Sequence, residues 1–148
     1  MTYPPVAYRP APPRHHTKRP VSLPLYLSTV AAGFPSPAGD YLEKRLDINE
    51  HLIRNQAATF LVRASGDSMK DAGILDGDML VVDRSVQATD GKIVIALSHG
   101  EFTVKTLKQR DGKAYLAPAN TAYPEIEVTP EMECVVWGVV VSVIRELG

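Results

Sequence analysis

The chain has 148 residues, 45% apolar and 22% charged, with a net charge of −1: enough for one domain with a core plus an appendage, too little for two full domains. No apolar run reaches about 18 residues and the start lacks the pattern of a secretory signal, so neither a spanning helix nor export is expected and a cytoplasmic protein is. The one cysteine, Cys134, sits in an apolar run, which excludes an internal disulfide and suits a small core residue in a reducing compartment.

Nine of the twelve prolines lie within residues 1–37, where they break any helix or central strand, so residues 1–40 are expected to form an extended, mobile arm. Residues 1–32 carry Arg9, Arg14, Lys18 and Arg19 and no carboxylate, which leaves −5 on residues 33–148. Four charges over that length fit a solvated tail better than a nucleic-acid binding element. The pair His15, His16 has no ligand-spaced Cys, Asp or Glu nearby, so no metal site and no cofactor is expected. Within the arm, Ala32 and Gly33 are small residues flanking one bond, the least demanding sequence for a narrow peptide-binding cleft.

From residue 41 to 148 the pattern is that of a folded domain. Asp47 followed by Glu50 resembles a capping box, predicting a short helix near 47–54. Runs rich in Val, Ile, Phe and Tyr at 58–64, 79–83, 92–97, 102–108, 114–118 and 135–144 then predict strands. His99–Gly100 and Asp111–Gly112 read as tight hairpin turns, so consecutive strands are expected to pair antiparallel. The last run is apolar on both alternating faces apart from Ser142, as for a strand covered on two sides or used at a subunit contact. The expected fold is mostly β, a small, strongly curved antiparallel sheet with one short helix and an N-terminal arm.

Two residues carry candidate chemistry. Ser68 follows a strand and a glycine and precedes a turn, a junction that can present the hydroxyl while backbone N–H groups, those of Asp67 and Ser68, converge as an oxyanion hole. Alone this is weak, since Gly, Asp and Ser are ordinary turn residues. Lys105 shares a strand face with Thr103 and Leu107, so partial burial can lower its pKa and make its amine a base for Ser68. Taken singly, a solvated strand lysine is the commoner case.

The segments Ala31 to Ala38, Ala64 to Met69, Ile74 to Asp78 and Glu101 to Lys105 closely resemble the self-cleaving serine protease family of UmuD, LexA and phage repressors, over nearly everything from about residue 30 to 145. The resemblance implies a β-clip of the LexA and signal-peptidase kind and self-cleavage between Ala32 and Gly33, with Ser68 as nucleophile and Lys105 as general base. For the UmuD branch it further implies stimulation by RecA filaments on single-stranded DNA. The cleaved product then works as a homodimer with a UmuC-type Y-family polymerase subunit in error-prone translesion synthesis. The proline-rich arm cannot hold the helix-turn-helix of a repressor, so direct sequence-specific DNA binding is not expected. A non-catalytic dimeric regulator of the same fold is the alternative; a signal peptidase is disfavoured by the missing membrane anchor.

Overall fold

β-branched and aromatic residues alternate along short runs separated by left-handed turns, and the strands follow that punctuation closely. The computed structural model describes residues 20–26, 29, 30, 32 and 42–148. Gly33, His15, His16 and the arm's Arg9, Arg14, Lys18 and Arg19 lie outside the described residues.

The described residues form two compact units, divided between Arg54 and Asn55. In the first, β1 (Leu23–Tyr26) pairs antiparallel with β2 (Leu42–Leu46) in a two-stranded sheet. Pro24 is tolerated in β1 because a two-stranded sheet leaves each strand an unpaired edge. Helix α1 (Ile48–Leu52) follows, with the Asp47 side chain accepting from the N–H groups of Asn49 and Glu50 as the sequence predicts.

The second unit is a seven-stranded antiparallel sheet built from β3 (Thr59–Arg63), β4 (Met79–Asp83), β5 (Ile93–Ser98), β6 (Glu101–Arg110), β7 (Lys113–Ala117), β8 (Ile126–Glu127) and β9 (Val135–Ile144). The mostly β, antiparallel expectation is borne out. Both predicted hairpins form: His99 and Gly100 have φ of 51° and 77°, Asp111 and Gly112 φ of 52° and 73°, the doubly left-handed geometry whose twist matches the flanking strands.

Strand order is β3-β4-β9-β5-β6-β7-β8, so one expectation is corrected: β4 and β5 are consecutive in sequence but do not pair. The last strand inserts between them, with Val82 opposite Val140 and Val94 opposite Val139. The apolar composition of β9 reflects this central position, although Val136, Val141, Val143 and Ile144 remain exposed.

Alternation on β5 divides the interior in two. Ile95 enters a core with Ala64, Met69, Ile74, Leu80 and Val82, while Val94 and Ala96 enter another with Leu107, Leu116 and Val139. Cys134 packs against the second core, and burial pushes its thiol pKa up, which makes it a poor nucleophile. No helix among the described residues is long and apolar enough to cross a membrane.

Candidate active site

Ser68 sits in the connection between β3 and a 3-10 turn, Lys70–Ala72. The turn into it runs through Gly66 at φ 86°, a conformation that a Cβ would strain, and Asp76 holds that glycine by accepting its N–H at 2.8 Å. Immediately after the serine, Met69 is 2% exposed and anchored in the first core. A buried anchor on one side and a hydrogen-bonded glycine on the other leave Ser68 itself half-buried with its hydroxyl presented.

Lys105 lies in β6 directly across from the fully buried Val94. Its Nζ is 2.9 Å from Ser68 Oγ, 2.9 Å from Thr103 Oγ1 and 3.0 Å from the carbonyl oxygen of Val104. Thr103 is the neighbour that strand alternation places on the lysine's face. No carboxylate pairs with this amine among the described residues, and burial pushes its pKa below the usual lysine value. An amine in that state, in contact with an alcohol, can accept the alcohol's proton.

Sequence reasoning missed the segment that buttresses the serine from the other side. The backbone N–H of Ala119 donates to the carbonyl of Ser68 at 2.8 Å, and the carbonyl of Ala119 accepts from the N–H of Asp71 at 2.8 Å. Asn120, 6% exposed, donates from Nδ2 to the carbonyl of Asp67 at 2.9 Å. Tyr123 donates from Oη to Asp67 Oδ1 at 2.7 Å, a bond that raises the tyrosine pKa. The only sequence signal is an Asn in a Pro-rich turn after a strand. Its Oδ1 does accept from the N–H of Ala122 as an Asx turn requires, but nothing in that pattern points to Asp67.

Ser68 and Lys105 are thus brought together. Ala32 is exposed in the first unit, and Gly33 lies outside the described residues. No group of three or more His, Cys, Asp or Glu suited to a metal occurs among the described residues.

The sequence model of the family described as Peptidase S24-like matches residues 24–141. Protein SamA of Salmonella typhimurium is 50% identical over 123 residues, covering 83% of this chain and 85% of that protein. Protein MucA of Escherichia coli is 48% identical over 120 residues, covering 80% and 82%. The LexA repressor of Halorhodospira halophila is 43% identical over 117 residues, 78% of this chain but 51% of the repressor.

Proposed function

Because this chain belongs to the S24-like peptidase family, we propose that it is a self-cleaving serine endopeptidase of the UmuD type, in which Ser68 cuts the Ala32–Gly33 bond with Lys105 as general base. Residues 1–40 are the arm that is cut, and residues 41–148 the protease and dimerisation domain. The observation that carries this reading is the 2.9 Å contact between Lys105 Nζ and Ser68 Oγ, in a place where burial disfavours the ammonium.

The partners of Nζ suit both protonation states: as an ammonium it donates one N–H each to Ser68 Oγ, Thr103 Oγ1 and the Val104 carbonyl. A neutral amine has two N–H donors and one lone pair. Thr103 Oγ1 and the Val104 carbonyl are two acceptors within 3.0 Å, so with both donors used the lone pair is left for the Ser68 O–H. The proton passes to Nζ as Oγ attacks the Ala32 carbonyl carbon. The oxyanion is stabilised by the N–H groups of Asp67 and Ser68. Lys105 then gives the proton to the departing Gly33 amine, leaving an ester between Ala32 and Ser68 that water hydrolyses with Lys105 again as base.

In the cell this cleavage belongs to the SOS response. A RecA filament on single-stranded DNA favours the arm-docked conformation, and the shortened chain acts as a cytoplasmic homodimer with a UmuC-type Y-family polymerase subunit in translesion synthesis. The similarity to MucA and SamA supports this placement, and the exposed Val136, Val141, Val143 and Ile144 of β9 supply apolar surface for pairing of subunits.

The test is to incubate the purified chain with RecA, single-stranded DNA and a non-hydrolysable nucleotide and to weigh the products. Fragments ending at Ala32 and beginning at Gly33 are expected, with none from Ser68→Ala. A wild-type chain that stays intact with RecA and also at alkaline pH would leave the non-catalytic dimeric regulator as the better reading.

A further inference from the structure

We infer that Asn120 is a positioning residue that aims the Ser68 N–H as oxyanion donor, an inference that rests on the peptidase reading above. A trans peptide unit is planar with its C=O and N–H pointing in opposite directions. Asn120 Nδ2 holds the carbonyl of the Asp67–Ser68 unit, and the Ala119 N–H holds that of the next unit, Ser68–Met69. One loop therefore grips two successive carbonyls, and the N–H groups of Ser68 and Met69 project away from it, with no acceptor among the described residues. The Ser68 N–H, one of the two donors assigned to the oxyanion above, is thereby left unspent on the side away from the loop, as a developing oxyanion requires.

Asn120 is itself fixed. It is 6% exposed, its Oδ1 accepts from the N–H of Ala122 at 3.0 Å and its carbonyl accepts from the N–H of Tyr123 at 3.1 Å. Tyr123 adds a second hold on the same unit through Asp67 Oδ1. The loop leaves β7, which pairs with the strand that carries Lys105. The aim of the donor and the place of the base are therefore set by one hairpin.

The experiment compares wild type, Asn120→Ala and Asn120→Asp in the full-length chain. Aspartate keeps the acceptor for Ala122 but has no donor for the Asp67 carbonyl. Self-cleavage is followed by intact mass across alkaline pH, and Ser68 is separately labelled with a small fluorophosphonate, whose P–O group occupies the same donors without the arm. Both variants are expected to remain folded by circular dichroism. The cleavage plateau and the labelling rate are expected to fall together by about ten- to a hundredfold, while the pH midpoint set by Lys105 stays put in Asn120→Ala. Cleavage and labelling at wild-type rates in a folded variant would overturn the inference. So would loss of folding in both variants, which would make the role of Asn120 purely architectural. If the wild type neither cleaves nor labels at Ser68, the peptidase reading itself fails.

Discussion

In the proposed reaction Lys105 can act as a base only when uncharged, so its environment fixes the expected response to pH. Burial lowers its pKa from the ordinary lysine value, and spontaneous cleavage is expected to rise about tenfold per pH unit below that pKa and to level off above it. Lys105→Ala is expected to slow cleavage by about 10² to 10⁴, the usual worth of a general base. Thr103 gives a finer test. Its Oγ1 accepts from Nζ at 2.9 Å, and an acceptor favours the ammonium over the neutral amine because charge-assisted hydrogen bonds are stronger. In Thr103→Val the midpoint is therefore expected to move to lower pH, while the plateau drops because the amine is less firmly aimed. Rates by intact mass between about pH 7 and 11 check both, and a midpoint that moves upward or not at all contradicts the assignment.

At the scale of elements, the β6–β7 hairpin works as a ruler. Its Asp111–Gly112 turn fixes the register, Thr106 opposite Ala117. Lys105 lies one residue before that pair, and Ala119, two residues past it, bonds to the Ser68 carbonyl. The hairpin was legible in the sequence because turn chemistry and strand alternation are local. The insertion of β9 between β4 and β5 was not, because apolar runs carry no address for their partners. Tight packing there shows in Gly138, where an added Cβ would stand 2.5 Å from Val82 Cγ1, a side chain with no exposure. Gly138→Ala is expected to destabilise the domain by about 1–3 kcal/mol through overpacking, read as a lower denaturant midpoint with an unchanged m-value. The serine–lysine pair was legible for a mixed reason: alternation placed Thr103 beside Lys105, but only the family resemblance connected residues 37 positions apart. Asn120 escaped because its contact with Asp67 spans 53 positions and its local signature is that of an ordinary turn.

Over the molecule as a whole, the residue that follows β9 is tied to the loop before β4 by an ion pair with Asp78. Arg145, just past β9, donates from Nε to Asp78 Oδ1 at 2.6 Å and from Nη2 to Oδ2 at 2.5 Å, and Nη2 also reaches the Gly73 carbonyl at 2.9 Å. Asp78 is 1% exposed and accepts from the N–H of Leu75 at 2.7 Å. The loop held in this way also carries Asp76, which bonds to Gly66 before Ser68. The hydrogen bond from Arg145, followed by that from Leu75, holds the Asp78 pKa down to about 2 from 3.8. A carboxyl depressed in the folded state stabilises the fold at pH above its unfolded value, and this contribution is lost as pH falls through the folded one. The wild-type melting temperature is therefore expected to drop between about pH 4 and 2, and Asp78→Asn, already less stable at neutral pH, to show a flatter profile there. Arg145→Met should also flatten the profile: its Asp78 loses the guanidinium but keeps the hydrogen bond from the Leu75 N–H, which outweighs burial, so the folded pKa moves up toward the unfolded value without passing it and less stability is lost on acidification. Thermal unfolding of the three chains from about pH 2 to 7, each carrying Ser68→Ala to prevent cleavage, decides it: parallel profiles would mean that the pair contributes nothing to the pH dependence of folding.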